Sequence, residues 1–340
     1  MADDLTPADP SVVLDLMEAF RRSKTMFAAV SLGVFDTLAD GPQTLQSLTA
    51  SLAANEDALG RLLDACVCLQ LLERQGDAYG NTPTATAYLC QQSPQRLTGY
   101  INFSNTVMWQ LWSNLEDAVR EGTHRWQQTY GWDGPIFASF FKTEESLHEF
   151  LMGMNGYGLI SSPHVAGAFN LSGYHRLVDL GGATGHLAIA ACRRYPHLQA
   201  TVFDLPDAMP LARTTIDGSG VADRIQLVPG DFFQDELPEG DLYALGRILH
   251  DWNEKKIIRL LEKIYARLPE GGALLIAEKL ITEERDGPRW ALMQSLNMLT
   301  CTEGKERTLS EYEDLLKSVG FSRVSGCRTP SPLDATLAVK

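Results

Sequence analysis

The chain has 340 residues, which favours two domains over one, and its 44% hydrophobic and 21% charged residues are typical of globular proteins. The formal net charge of −14 argues against nucleic acid or an anionic membrane as the main partner, because both would repel such a surface. No run of 18 or more residues is free of polar side chains, and the acidic N-terminus has no apolar run. Neither a membrane span nor a signal peptide is therefore expected.

The six cysteines show no paired zinc-site spacing, and Cys66 and Cys68 lie in an apolar run with helical periodicity. Without a secretory signal, reduced thiols in a cytoplasmic protein are expected. We expect no metal site.

Residues 11–40 carry apolar side chains at helical spacing and predict helical structure up to Gly41. Residues 44–73 predict two helices with a break at 54–56. Turn signals at Gly76 and Gly80 then indicate a short hairpin. This order of elements is typical of a winged helix.

A winged helix can bind DNA or serve as a dimerisation or scaffold module. Residues 1–100 contain 12 acidic and 6 basic residues, whereas a DNA-reading surface needs a basic stripe. The apolar, helix-rich composition favours an obligate dimer interface. Residues 101–170 are again predicted to be helical, with aromatic side chains expected in the core or lining a pocket for a flat substrate: Trp109, Trp112, Trp126, Trp132, Phe137, Phe140 and Phe141.

From Arg176 onward, predicted strands and helices alternate, which indicates a mostly parallel sheet covered on both faces. Ligands bind at the carboxyl ends of the strands in such sheets. The predicted strands are 176–180, 199–205, 224–230, 241–249, 272–280, 321–327 and 334–340, and the predicted helices are 185–195, 207–216, 253–268 and 310–320.

The first of these strands ends in LVDLGGATGHLA, where Gly181, Gly182 and Gly185 surround Ala183. Glycines between a strand and a helix allow a tight turn and let a ligand approach the backbone. A dinucleotide-binding G-x-G-x-x-G motif does not fit, because the third and sixth positions counted from Gly181 are Ala183 and His186.

Three acidic residues in series, Asp179, Asp204 and Asp231, lie at the ends of predicted strands. Asp204 can accept both ribose hydroxyls of a nucleoside, and Asp231 beside Phe232 can bind an adenine amine while the ring stacks on the base. The glycine turn has no lysine or arginine, which favours a positively charged nucleoside over a phosphate-rich ligand. S-adenosylmethionine, a sulfonium nucleoside, fits. The alternative is a structural role at a strand end or helix cap.

The motifs DLGGATG, VFDLP, GDFF, ILHDW, LLIAEKL and EGKERT occur in this order, and the chain resembles the plant-type and hydroxyindole S-adenosylmethionine-dependent O-methyltransferases. The segment ALMQSLNMLTCTEGKERTLSEY is similar to acetylserotonin O-methyltransferases and their acetylserotonin O-methyltransferase-like relatives. The resemblance covers nearly the whole chain. It implies a winged-helix dimerisation domain over residues 1–100, a helical region contributing to the substrate pocket over 101–170, and a Rossmann-like α/β methyltransferase domain over 171–340. It further implies a homodimer acting on a small aromatic hydroxyl compound.

The resemblance also implies site residues. His250 would be the general base, and Glu278 and Glu306 would flank and orient it. Asn297 and Met298 would lie near the acceptor. The remaining positions would hold the cofactor: Gly181 at its methionine part, Asp204 at the ribose, Gly230, Asp231 and Phe232 around the adenine, and Arg247 close by.

The chemistry agrees with a histidine base. Methyl transfer from sulfonium to oxygen is an in-line displacement, so the protein must position the acceptor and make it more nucleophilic. A phenol with a pKa near about 10 is a poor nucleophile until a base such as histidine removes its proton. We interpret Asp251, in DWNE, mainly as a cap of the next helix and alternatively as an assistant to His250.

The chain departs from the family pattern at Ala183, which replaces the central glycine of the turn. It also has Gly153, Gly156 and Gly158 around Tyr157 in the linking helix, where family members can present aromatic side chains. A second hypothesis is therefore a catalytically silent dimeric scaffold that binds the cofactor or nothing. A nucleic-acid-binding winged helix is a third, weaker one.

Overall fold

A computed structural model describes residues 8–134 and 144–340 of the chain. The backbone divides into two compact units, Met1–Asn105 and Thr106–Lys340. Most of the predicted helical region 101–170 thus belongs to the same unit as the sheet. Phe137, Phe140 and Phe141 lie outside the described residues.

The first unit is mainly helical and contains a small antiparallel sheet of order β1-β3-β2. Strands β2 and β3 pair antiparallel, which confirms the predicted hairpin. The helical segment 11–40 is interrupted because Gly33 adopts a left-handed φ of 76°, a conformation that ends helices. The elements are α1 (Ser11–Ser31), α2 (Val34–Thr37), β1 (Gln43–Thr44), α3 (Leu45–Ser51), α4 (Glu56–Cys68), β2 (Leu72–Gln75), β3 (Ala78–Asn81), α5 (Pro83–Leu89) and α6 (Thr98–Phe103).

Helix α4 begins where the sequence predicted a break, because the Asn55 side chain accepts a hydrogen bond from the backbone N–H of Ala58 and caps the helix. Its buried residues Leu59, Leu63 and Cys66 join the core of this unit. Helix α1 contrasts with it by exposing a series of large apolar side chains: Val12, Val13, Leu14, Leu16, Met17 and Phe20.

The second unit begins with helices that precede the sheet. A π-helical turn over Ser104–Met108 leads into them from α6. Trp126 is buried, and its indole N–H donates to the carbonyl oxygen of Cys301 at 2.8 Å, so part of the aromatic content packs the core as predicted. These helices are α7 (Trp109–Trp112), α8 (Leu115–Glu121), α9 (Trp126–Tyr130) and α10 (Glu144–Gly167).

The seven-stranded sheet of the second unit has the order β6-β5-β4-β7-β8-β10-β9. Strands β4 to β8 are parallel, whereas β10 runs antiparallel to β8 and β9. The strand order reverses between β4 and β7, which is where ligands bind in such sheets. The strands are β4 (Arg176–Leu180), β5 (Gln199–Asp204), β6 (Ile225–Pro229), β7 (Leu242–Gly246), β8 (Ala273–Glu278), β9 (Arg323–Cys327) and β10 (Asp334–Val339).

Helices cover both faces of this sheet. Along β7, Leu242 and Ala244 enter one hydrophobic cluster, and Tyr243 and Leu245 enter another. Successive side chains of a strand point to opposite faces, so both faces are buried, as the α/β prediction required. The helices are α11 (His186–Arg194), α12 (Met209–Asp217), α13 (Glu254–Arg267), α14 (Arg289–Cys301) and α15 (Leu309–Ser318).

Among the described residues, no helix has the length and apolar character needed to cross a membrane. The cytoplasmic location stays a prediction.

Candidate active site

His250 lies in a short turn at the carboxyl end of β7. The strand ends at Gly246, and Arg247 adopts a left-handed φ of 58° that directs the chain out of the sheet. A 3₁₀ turn over Leu249–Asp251 follows, and only 3% of the surface of His250 is exposed. The prediction of a strand over 241–249 is therefore wrong for its last three residues, because left-handed backbone cannot continue a strand.

The imidazole of His250 is paired with a buried carboxylate. Its Nδ1 lies 2.6 Å from Oε1 of Glu306, and its Nε2 lies 3.7 Å from Oδ1 of Asp251. Burial alone would lower the pKa of His250, but the charges of Glu306, Asp251 and Glu278 outweigh it and raise that pKa to about 9. The carboxylate partner fixes which ring nitrogen carries the proton and stabilises the imidazolium.

Glu278, at the end of β8, does not form a hydrogen bond to the imidazole. Its Oε1 accepts from the backbone N–H groups of Ile248, Leu249 and His250 at 3.2, 2.7 and 3.2 Å. Its Oε2 accepts from the Tyr312 hydroxyl. The predicted flanking acid thus holds the main chain of the histidine turn.

The EGKERT motif supports the same turn from the other side. A Cβ on Gly304 would lie 2.2 Å from the carbonyl oxygen of His250, so a glycine is needed for this backbone approach. Arg307, which is 2% exposed, donates to the carbonyl oxygen of Leu249 at 3.4 Å. Together with the Glu306 carboxylate at the imidazole, these contacts hold both the side chain and the main chain in place.

The interpretation of Asp251 as a helix cap is wrong. Asn253 caps α13, because its side-chain oxygen accepts from the backbone N–H of Lys256 at 3.2 Å. Asp251 is instead 9% exposed and faces the imidazole of His250, and burial raises the pKa of its carboxyl to about 7. Its geometry agrees with the alternative, an assistant to His250.

The glycine turn lies at the carboxyl end of β4, next to β7. Asp204 at the end of β5 reaches it, since its Oδ2 accepts from the backbone N–H of Ala183 at 2.7 Å. A Cβ on Gly181 would lie 2.5 Å from Ile248 and 3.4 Å from Phe232, which brings these three residues together. Ala183 itself has a φ of 49°, a conformation that costs a non-glycine residue about 1 kcal/mol.

Asp179 lies beneath the turn. It is 2% exposed, accepts from the backbone N–H of Ala188 at 3.3 Å, and would be 2.9 Å from a Cβ on Gly182. Burial raises the pKa of its carboxyl to about 7. Of the three acids, Asp179 therefore has the structural role that the sequence left open as the alternative.

The residues that follow β6 lie beside the glycine turn 181–185. Asp231 is partly buried, and its Oδ1 accepts from the backbone N–H of Phe233 at 2.8 Å. Phe232 and Phe233 stack edge to face with ring centroids 4.8 Å apart. A Cβ on Gly230 would lie 2.4 Å from the Phe203 ring, so this glycine is required by packing.

Arg247 stacks on Tyr157, which in turn packs against Trp290. Its guanidinium lies 5.4 Å from the centroid of the Tyr157 ring, and Tyr157 lies 5.8 Å from Trp290. The glycine-rich part of α10 therefore does present an aromatic ring to this region, through Tyr157.

The same part of α10 packs on the glycine turn. Thr184 donates to Asn155 at 2.8 Å, and Ser162 and His186 share a hydrogen bond of 2.8 Å. A Cβ on Gly158 would lie 2.2 Å from the His186 ring, so the absence of a side chain there makes room for the imidazole. Burial lowers the pKa of His186 to about 4, which keeps it neutral.

The two predicted acceptor residues on α14 differ in exposure. Asn297 is partly buried, and its Oδ1 accepts from the Trp112 indole N–H at 2.7 Å. Met298 is only 4% exposed. Sequence reasoning missed Gly304, Arg307 and Tyr312 around the histidine, although the first two lie in a recognised motif.

One nitrogen of His250 and one oxygen each of Glu278 and Glu306 lie within 4.8 Å of one another, a spacing compatible with a metal ion. Both oxygens of Glu278 already accept hydrogen bonds, and Nδ1 of His250 bonds to Glu306. Because these atoms already take part in hydrogen bonds, the cluster is better suited to sharing protons than to binding a metal ion.

Two family models match the chain, an O-methyltransferase domain over residues 112–322 and an O-methyltransferase dimerisation domain over residues 14–91. The acetylserotonin O-methyltransferase of Gallus gallus is 38% identical over 338 residues, which are 97% of each chain. The chain belongs to the S-adenosylmethionine-dependent O-methyltransferase family.

Two further relatives support this family assignment. The human probable bifunctional dTTP/UTP pyrophosphatase/methyltransferase protein is 40% identical over 98% of this chain, and the chain spans about half, 54%, of its length. Human N-acetylserotonin methyltransferase in complex with SAM superimposes with a TM-score of 0.92 and 36% identity, covering 100% of this chain and 99% of that one. The predicted family, α/β fold and cofactor are thereby confirmed.

The residues around the glycine turn fit S-adenosylmethionine. The turn 181–185 has no basic side chain. Within the described part of the chain, Asp204 accepts two backbone hydrogen bonds, from Ala183 and Leu205, whereas a carboxylate has about four acceptor positions. It therefore retains capacity for a ribose diol.

Proposed function

We propose that this O-methyltransferase methylates the hydroxyl group of a small aromatic acceptor, a hydroxyindole or phenol, with His250 as the general base. The observation that carries the proposal is the buried 2.6 Å contact between His250 and Glu306 at the carboxyl end of β7, beside the glycine turn of β4. The names of the relatives, several of them acetylserotonin O-methyltransferases, support acetylserotonin as the first acceptor to test.

Six positions would hold the cofactor, which supplies a methyl group already activated on a sulfonium. Gly181, packed beside Ile248 at the turn, would lie at the methionine part, and Asp204 would bind the ribose hydroxyls. The adenine would lie against Asp231 and Phe232, behind Gly230. Arg247, stacked on Tyr157, would close the methionine end.

The acceptor would lie between the cofactor and His250. Asn297 and Met298 are proposed to border it from α14, which packs against the histidine turn. His250 would take the hydroxyl proton as the oxygen attacks, with Glu306 stabilising the imidazolium and Asp251 assisting from the Nε2 side.

The proton affinities of base and acceptor are matched. His250 has a pKa of about 9, close to the pKa of about 10 of a phenol. Proton transfer between groups of similar pKa is close to balanced, which favours general base catalysis. At pH 7 about one imidazole in a hundred is neutral, so activity should increase in alkaline solution.

We propose a homodimer formed through the first unit. The dimerisation-domain match covers residues 14–91, and the first half of α1 exposes apolar side chains, from Val12 at 69% to Phe20 at 54%. Exposed apolar stripes of this kind are typical of obligate interfaces.

The experiment that tests the proposal is an acceptor panel. The protein is incubated with S-adenosylmethionine and acetylserotonin, other hydroxyindoles or simple phenols, and methyl ether formation is followed by mass spectrometry. N-acetyltryptamine, which lacks the hydroxyl, is the matched control and should give no product.

Calorimetric titration with S-adenosylhomocysteine distinguishes the alternative of a silent scaffold. Binding together with product formation supports the proposed enzyme. Binding without product from any aromatic hydroxyl compound, or no binding at all, would favour the scaffold.

A further inference from the structure

We propose that Tyr312 is a positioning residue that sets the proton affinity of His250 through Glu278. The consequence for turnover rests on the proposed role of His250 as the base. The consequence for the imidazole itself does not, because it depends on the hydrogen bonds of the buried cluster alone.

Tyr312 and Glu278 form one buried unit. Tyr312, on α15, is fully buried, and its hydroxyl donates to Oε2 of Glu278, which is 1% exposed. Oε1 of Glu278 accepts three backbone N–H groups of the His250 turn. These four hydrogen bonds all come from donors that favour the ionised form of Glu278.

The charge of Glu278 acts on His250 at short range. A nitrogen of the imidazole and an oxygen of Glu278 lie within 4.8 Å of each other, in surroundings that exclude water. A negative charge at this distance favours the imidazolium. Glu278 thus contributes to the raised pKa of His250 without touching the ring.

Tyr312 helps to keep that charge in place. Burial raises the pKa of Glu278, the charge of His250 is the main effect opposing this rise, and the hydrogen bond from Tyr312 also lowers that pKa. Burial also raises the pKa of Tyr312 well above its ordinary value, so its hydroxyl stays protonated and remains a donor at all working pH values.

Other charged groups surround the same cluster and would be unchanged in a Tyr312 variant. Glu306 contacts Nδ1, and Asp251 faces Nε2. The remaining titratable or charged side chains that act on these acids are Arg247 after β7, Cys301 on α14 and Arg307 after α14.

Tyr312→Phe removes the donor and keeps the ring. Glu278 then loses a bond to its charged form, its pKa rises, and it takes up a proton. With less negative charge nearby, the pKa of His250 falls. We expect the midpoint of its titration to move down by about one pH unit, the lower end of the effect of a charge at this distance.

The control is Tyr243→Phe. Tyr243 is another fully buried tyrosine of the same core cluster, and its hydroxyl donates to the carbonyl oxygen of Pro238, away from the histidine turn. It matches Tyr312→Phe in size, burial and loss of a hydrogen bond. A merely structural effect would appear equally in both variants.

Two measurements are made on the full chain. The titration of the His250 ring is followed by NMR with labelled histidine, assigned through His250→Gln, and kcat/KM is measured against pH. The expected result is a lower midpoint in both for Tyr312→Phe and no change for Tyr243→Phe. If only the NMR midpoint falls, Tyr312 still sets the proton affinity but His250 is not the base, and the proposed function fails instead.

An unchanged NMR midpoint in Tyr312→Phe, or an equal shift in Tyr243→Phe, would overturn the inference. If Tyr312→Phe does not fold, Glu278→Gln is the second test. It removes the charge through which Tyr312 is proposed to act and keeps an amide oxygen that can accept the backbone N–H groups, so the midpoint should fall, and an unchanged midpoint would count against the proposal.

Discussion

Nδ1 of His250 lies 2.6 Å from Oε1 of Glu306, and each side chain is at most 4% exposed. A carboxylate in this position orients the imidazole and increases its affinity for a proton, which are the two properties a base requires. The surrounding contacts of Glu278, Gly304 and Arg307 explain why the chain holds the pair so firmly.

Glu306→Gln should lower kcat by at least about 10²-fold and leave the affinity for S-adenosylhomocysteine unchanged, because only the base loses its charged partner. The remaining activity should reach its half-maximal value at lower pH, since the pKa of His250 falls without that carboxylate. Kinetics and calorimetry measure both effects. Glu303→Gln, in the same motif but paired with Lys256, should retain normal pH dependence.

Between pH 6.5 and 9, activity should rise with pH, whereas the contribution of His250 to the free energy of unfolding should fall. The base acts when neutral, so kcat/KM should rise toward pH 9 and then level off. The folded pKa of His250 lies above its unfolded value of about 6.5, so its contribution to stability is complete below that value and is lost as pH rises through 9. In denaturant unfolding, the unfolding free energy of His250→Gln should not show this loss as the pH rises. A flat activity profile would contradict the expectation.

Gly304→Ala should destabilise the fold and reduce turnover. Its new Cβ would meet the His250 carbonyl oxygen at 2.2 Å and the Trp252 nitrogen at 2.8 Å, both backbone atoms that cannot move independently. We expect a loss of about 1–3 kcal/mol in unfolding free energy and about 10²-fold in kcat. Gly173→Ala, with no atom within 4 Å, is the control for both measurements.

Gly158→Ala should lower the free energy of unfolding, measured by denaturant unfolding, by disturbing the packing of α10 on the glycine turn. The Cβ would meet the His186 ring at 2.2–2.5 Å, and that ring is held by Ser162. We expect net destabilisation by about 1–2 kcal/mol, after the gain in helix propensity. In the same helix, Gly167→Ala meets only the flexible end of Arg194 and should be neutral or stabilising. Equal stability of the two variants would argue against this contact.

The sequence predicted the architecture well because hydrophobic periodicity and helix-breaking or capping residues are local signals. The alternation of strands and helices from Arg176 and the break at Asn55 both rest on residues close together in the chain. The end of β7 was misjudged because RIL has the composition of a strand, whereas left-handed Arg247 interrupts it. Helix α14 was not predicted as an element, since only its resemblance to relatives was used.

The candidate site was predicted in its residue types more than in its contacts. Glu306 and His250 are 56 residues apart, and only the fold determines which acid reaches the ring. Glu278 was expected to flank and orient His250, and the sequence did not indicate that it would do so through the backbone of the turn. Asp251 was assigned to a cap that Asn253 supplies. Tyr312 closes the segment that resembles the relatives, but its residue type does not indicate its role, because a buried tyrosine on a helix usually fills the core.

The most direct test of the account compares turnover and cofactor affinity in His250→Gln, which keeps a polar partner for Glu306. If His250 is the base, kcat with an active acceptor should fall by about 10³-fold or more, and S-adenosylhomocysteine should bind within about tenfold of the unchanged protein. Retained turnover, or a loss of cofactor binding that accounts for the lost activity, would contradict the central claim.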